Sequence, residues 1–131
     1  MIVLDTHALI WWINGDALLS KRARAAIEHE LDDGHIIVSA ISTWEVAMLV
    51  KQARLVLSMD VNRWLATVGQ IERVSFVPVD VEIALKSVDL PGDFHKDPAD
   101  RMIVTTARAL AAPLVTKDDK IRAYRHVKTI W

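Results

Sequence analysis

Cysteine is absent from this 131-residue chain, so neither a disulfide nor a thiolate-bound metal is available, and any metal must be held by oxygen or imidazole. The same absence is compatible with a reducing compartment. Long apolar runs are missing as well. Nowhere do eighteen apolar residues follow one another, and no basic stretch precedes the apolar start, which argues against a membrane span and a signal peptide and makes a soluble, cytoplasmic protein the expectation. Nor is there an excess of one charge: 16 Lys and Arg against 17 Asp and Glu leave a net charge of −1. That balance argues against wholesale electrostatic capture of nucleic acid but leaves local basic patches open. Glycine and proline, four of each, fall between periodic segments, so no linker, repeat or low-complexity tract divides the chain.

What is present is apolar: 52% of residues are hydrophobic, enough for one compact domain over 1–131 to bury a core without staples. Short β-branched runs, IVLD (2–5), HIIVS (35–39), SFVPV (75–79), PLVT (113–116) and VKTIW (127–131), alternate with longer stretches of helical spacing at 20–32, 42–54, 60–72, 80–88 and 98–111. Ser20, Ser42, Asp60, Asp80 and Asp97 stand where N-caps belong. Most of the short runs lack strict alternation, as strands covered on both faces do. Strand and helix in alternation mean an α/β protein, a parallel sheet with helices packed on it.

In such a sheet ligands bind beyond the carboxyl ends of the strands. Sorted by edge, four acids from remote stretches meet there. Asp5 ends the first strand inside the apolar run MIVLDTHALIWW, where an unpartnered charge is costly. Glu45 follows the second strand, Asp118 follows the fourth, and Asp100 opens the helix that feeds the fourth.

Each acid also has a structural explanation. Ser42 to Glu45 matches the capping box S-x-x-E. Asp97 is an N-cap before Pro98, Asp100 suits the helix dipole, Asp118 could cap a short helix beginning near Asp119, and Asp5 would be a cap if a helix began at Thr6. Two patterns count against a purely structural reading. Asp100 lies mid-stripe among Ile103, Val104, Ala107 and Ala111, with Arg101 and Arg108 to one side, and Glu45 shares its face with Met48 and Leu49. Both therefore turn inward. Inward acids without a cation repel. All-oxygen ligation suits Mg²⁺ or Mn²⁺, and the matching substrate is a phosphate ester.

Taken in order, LDTH, ISTWE, HKDPADRMIVTTA and VTKDD resemble the PIN-domain proteins across nearly the whole chain, and among them the VapC-type toxins of toxin–antitoxin pairs. The resemblance implies a three-layer α/β/α sandwich around a parallel sheet of four to five strands. It implies that Asp5, Glu45, Asp100 and Asp118 hold Mg²⁺ or Mn²⁺ for a metal-dependent endoribonuclease, which hydrolyses RNA with a metal-activated water and leaves a 5′-phosphate. It further implies that a hydroxyl, Thr116 or Thr6, orients the acids, that the protein is a homodimer, and that a small antitoxin inserts into an apolar groove. Asp97 is a cap or an outer-shell group, with Asp100 preferred as the ligand. His7 and His95 carry no assignment, Lys117, Lys120 or Arg101 are candidates for the RNA backbone, and Trp11 and Trp12, adjacent on one helix, cannot both face inward.

Two other classes compete. A receiver-type phosphoacceptor, with Asp80 as its acceptor, needs adjacent acids after the first strand, where this chain has Thr6 and His7; a haloacid-dehalogenase-type phosphatase needs an aspartate where His7 stands. A non-catalytic interaction protein would use the acids only as caps.

Overall fold

The computed structural model describes residues 1–131. Five parallel strands, β1 (Ile2–Leu4), β2 (Ile36–Ser39), β3 (Val74–Val77), β4 (Leu114–Val115) and β5 (Thr129–Ile130), form one sheet in the order β3-β2-β1-β4-β5. β1 is central, Val3 standing beside Ile37 on one side and Leu114 on the other. Between the strands run α1 (Thr6–Ile13), α2 (Lys21–Asp33), α3 (Ala40–Lys51), α4 (Val61–Gly69), α5 (Val81–Val88), α6 (Pro98–Ala109) and α7 (Asp119–Ala123).

Alternation within each strand assigns its side chains to two cores. Ile2, Leu4, Ile36, Val38 and Val115 face Leu9 of α1, Ile27 of α2 and Trp64 and Val68 of α4. Val3, Ile37 and Leu114 face Ile103, Val104 and Ala107 of α6 and Ile121 of α7. The strands are covered on both faces, which is why they read as unbroken apolar runs, and the architecture is the expected three-layer α/β/α sandwich with a five-stranded parallel sheet. Ile103 is 1% exposed and central to the second core. Ile103→Ala is expected to cost about 3 kcal/mol, read as a lower urea midpoint at unchanged slope.

Two expectations need correcting. The helix after β2 starts at Ala40 with Ser39 as its cap, the Ser39 hydroxyl accepting from the Ile41 N–H at 3.2 Å. Ser42 therefore lies inside the helix and Glu45 beyond its first turn, and no capping box forms. The helix at Thr6–Ile13, only raised as an alternative for Asp5, is real. It is apolar almost all round, so it carries little helical periodicity. Trp11 and Trp12 are both half-buried against the first core; the exposed tryptophan is Trp44, at 58%.

The chain order reverses between β1 and β4. β1 leads through α1 and α2 to β2 on one flank, while β4 lies on the other, so the loops beyond these two strands part and leave a crevice at their carboxyl ends.

Candidate active site

That crevice is a cavity of about 460 Å³ lined by Asp5, Glu45, Asp97, Asp100, Asp118 and Asp119, together with Thr6, His7, Trp11 and Lys117. All four acids singled out by the sequence reach it, as do Asp97 and Thr6. Thr116, fully buried, stands directly behind.

Capping accounts for part of this arrangement. Asp5 Oδ1 accepts from Ala8 N–H at 2.8 Å and caps α1. Asp97 Oδ1 accepts from Ala99 N–H at 2.9 Å and caps α6, and Asp118 Oδ1 accepts from Ile121 N–H at 3.0 Å and caps α7. In each case capping is done by one oxygen. Glu45 and Asp100 cap nothing.

Hydroxyls fix the acids in place. Thr116 donates to the Asp5 carboxylate, and its oxygen accepts from Asp118 N–H at 3.0 Å, so one side chain sets the spacing of the acids after β1 and β4. Thr6 donates to Glu45 Oε1. Its oxygen lies 2.9 Å from the Ser42 hydroxyl, and because Thr6 has a single proton to give, Ser42 is the donor in that second bond. Ser42 thus serves this network instead of the helix start. Thr6 and Thr116 both hold acids, Thr6 acting on Glu45 and Thr116 on Asp5.

The electrostatics are those of crowded negative charge. Burial pushes the Asp5 carboxyl up to about 6 despite the Thr116 hydroxyl, the Ala8 N–H and nearby His7, with Asp118 adding to the rise. Asp100 is pushed up to about 7, first by burial and then by repulsion from Asp97, Asp118, Glu45 and Asp5. Glu45 is raised by burial and by Asp97, against the opposing Thr6 bond. Acids displaced toward neutrality and gathered in a cleft mark a functional site.

The acids ring the cavity without closing into a finished cluster of three ligands. An all-oxygen donor set around an open, water-accessible space nevertheless fits a hard divalent cation that keeps several waters.

Three further residues shape the surroundings of the site. His95 Nε2 is 3.2 Å from Asp100 Oδ2, too poorly aligned for a hydrogen bond, and is otherwise buried without a partner. Lys117 Nζ lies 5.8 Å from the centre of the Trp11 ring at the cavity edge, a cation–π approach. Arg101 is not free for a phosphate. Its guanidinium donates to Ser87, Val88, Phe94 and His95 carbonyls, pinning the end of α5 and the loop that carries His95. Arg101 sits beside the inward stripe of α6, and its outward direction leads to those carbonyls instead of to solvent.

Fold and site together define a PIN-like α/β protein, with an acid-lined cavity at the switch point of a parallel sheet. The chain belongs to the PIN domain family, whose profile matches residues 2–127. It is 39% identical to Ribonuclease VapC22 of Mycobacterium tuberculosis, with 99% of this chain and 98% of that protein aligned. VapBC2 from Rickettsia felis, solved bound to a promoter DNA fragment, superposes with a TM-score of 0.69 at 17% identity, covering 98% of this chain and 97% of that one. A toxin–antitoxin complex from Klebsiella pneumoniae gives 0.67 at 20% identity, with 97% and 95% covered. No helix is long and apolar enough to cross a membrane.

Proposed function

We propose that this protein is a divalent-cation-dependent endoribonuclease, the toxin of a VapBC-type pair that acts in the cytoplasm. The likeness to a named VapC ribonuclease supports the ribonuclease reading, and toxin–antitoxin complexes among its structural neighbours support an antitoxin partner. The carrying observation is that Glu45 and Asp100, which cap no helix, share one cavity with Asp5 and Asp118, whose capping bonds each use one oxygen.

In this reading Asp5, Asp100 and Asp118 would hold Mg²⁺ or Mn²⁺, with Glu45 completing the shell or positioning the attacking water. A cation there would supply charge neutralisation at the phosphoryl oxygens and a more acidic water. Thr116 and Thr6 hold Asp5 and Glu45 in place, and Lys117 meets the RNA backbone. Water adds to phosphorus, the 3′-oxygen leaves, and the products carry a 5′-phosphate and a 3′-hydroxyl. The protein works as a homodimer, silenced by a small antitoxin encoded in the neighbouring reading frame.

The test is incubation of the purified chain with single-stranded RNA and Mn²⁺ or Mg²⁺. Internal cuts bearing 5′-phosphates are expected, lost with chelator and reduced at least about 100-fold by Glu45→Gln. Cleavage that persists in chelator overturns the metal assignment. No cleavage of any RNA, together with no Mn²⁺ binding by calorimetry, favours the interaction-protein reading.

A further inference from the structure

Beyond the acid-lined cavity, a second cleft of about 460 Å³ opens on the other side of His95. Its walls come from the loop 92–95 and from the stretch 120–126, which includes the end of α7. The rings of His95, Phe94, Tyr124 and His126 follow one another along it, with centroids 4.3, 4.7 and 5.3 Å apart. Lys120 and Arg125 are exposed on its rim, and the acid among its lining residues is Asp93.

The cleft is built, not incidental. The Tyr124 hydroxyl donates to the Pro91 carbonyl and ties one wall to the other. Gly92 turns the loop at φ +65, and a Cβ there would crowd His126 at 3.3 Å, so glycine suits both the backbone and the space. Two arginines of α6 anchor the walls. Arg101 donates to the carbonyls of Phe94 (2.9 Å) and His95 (3.1 Å), and Arg108 donates to the carbonyl of His126 (2.5 Å). The same helix carries Asp100. The cleft is therefore held in fixed relation to the carboxylates by one rigid element, and His95, which lines the cleft, approaches Asp100 of the cavity at 3.2 Å.

We propose that this cleft is a nucleotide subsite, in which a base of single-stranded RNA next to the cleaved phosphodiester stacks on Phe94 while Lys120 and Arg125 take the adjoining phosphates. The proposal rests on the ribonuclease reading for its substrate. Two observations favour an RNA nucleotide over an apolar partner segment. The cleft offers aromatic side chains and two cations where an apolar helix would want aliphatic surface, and it lies beside the acid-lined cavity, since His95 on its wall reaches within 3.2 Å of Asp100. Charge is also divided sensibly: the acidic cavity needs a cation to accept RNA, whereas the neighbouring cleft accepts phosphate directly.

The experiment measures binding of a fluorescein-labelled twelve-nucleotide single-stranded RNA by anisotropy in EDTA, where no cutting occurs, beside cleavage of the same RNA in Mn²⁺. Phe94→Leu keeps an apolar side chain against the second core but removes the ring face, and it is expected to weaken binding about tenfold. A double-stranded RNA of the same length, whose bases are already stacked away, should bind wild type and Phe94→Leu alike. Lys120→Ala with Arg125→Ala, both at exposed positions, should weaken both RNAs and flatten the salt dependence by about two phosphate contacts. In cleavage the effect should fall on KM, with kcat kept within about threefold. If both variants bind and cut single-stranded RNA as wild type does, the cleft proposal is overturned while the nuclease reading stands. If wild type binds RNA with the expected variant pattern yet never cuts it, the nuclease reading falls and the subsite remains. Absence of any binding by wild type overturns the subsite.

Discussion

Replacing Asp100 by asparagine is expected to abolish RNA cleavage and, in the same protein, to raise the temperature at which it unfolds without divalent cations. The two effects share a cause. Asp100 is pushed up to about 7 by burial and by Asp97, Asp118, Glu45 and Asp5, so near neutral pH its negative charge is held against its surroundings. Holding the carboxyl at about 7 instead of 3.8 corresponds to about 4 kcal/mol before screening. The side chain is 21% exposed and water relieves much of that, which leaves about 1 to 2 kcal/mol. Asparagine removes the charge and keeps nearly the same volume, and the lost helix-dipole contribution, about 0.5 kcal/mol, offsets part of the gain. For a chain of this length, about 3 to 4 °C accompanies each kcal/mol, so the melting temperature in EDTA at pH 8 should rise by about 2 to 6 °C. Cleavage should fall by at least about 100-fold, since a cation ligand is lost. Most substitutions at partly buried positions destabilise, so a gain here marks a group kept for chemistry at the expense of stability. Cleavage near the wild-type rate, or earlier unfolding in EDTA, would remove Asp100 from the site.

The sheet was readable in the sequence because all its strands are short, β-branched and separated by helical spacing, and the edge rule then sorted the acids without any coordinates. The parts that escaped did so for identifiable reasons. α1 is apolar around most of its circumference, so it continues the β1 run without a change of period, and only the Asp5 cap marks the boundary. Ser39 and Ser42 are both plausible starts for α3. The choice depends on Thr6, thirty-six residues from Ser42, whose bonds draw Ser42 into the site network. Arg101 has the sequence appearance of a free surface cation, and its four carbonyl partners lie on two other segments. The aromatic cleft left no local signal, because Phe94 and Tyr124 are thirty residues apart and meet only through the packing of the 92–95 loop on α7.

With every divalent cation chelated, the protein should lose stability as the pH rises from 5 to 8, and Mn²⁺ should restore it at pH 8 but hardly at pH 5. Asp5 and Asp100 titrate at about 6 and about 7 in the folded chain against an ordinary value of 3.8, and Glu45 is raised as well. Between the unfolded and folded values the native state binds more protons than the unfolded one, so stability falls with rising pH across that window. What these acids contribute is fully present below about 4 and is lost as the pH climbs through about 6 to 7. Glu30 works in the opposite sense. Burial raises it, but the bonds from the amino terminus and from His35 N–H outweigh this, so its contribution is lost only as the pH falls below its ordinary 4.5. A comparison of pH 5 with pH 8 therefore lies outside the range in which Glu30 acts. The expected drop is about 6 to 12 °C in melting temperature, from about 2 to 3 kcal/mol after allowance for partial exposure. Mn²⁺ at about a hundred times its dissociation constant should return about 2.7 kcal/mol at pH 8. At pH 5 protons occupy the carboxylates and compete with the ion, so the gain should be small. A melting temperature flat across this range in EDTA, or an equal Mn²⁺ effect at both pH values, would mean that the crowded acids are not what the cation relieves.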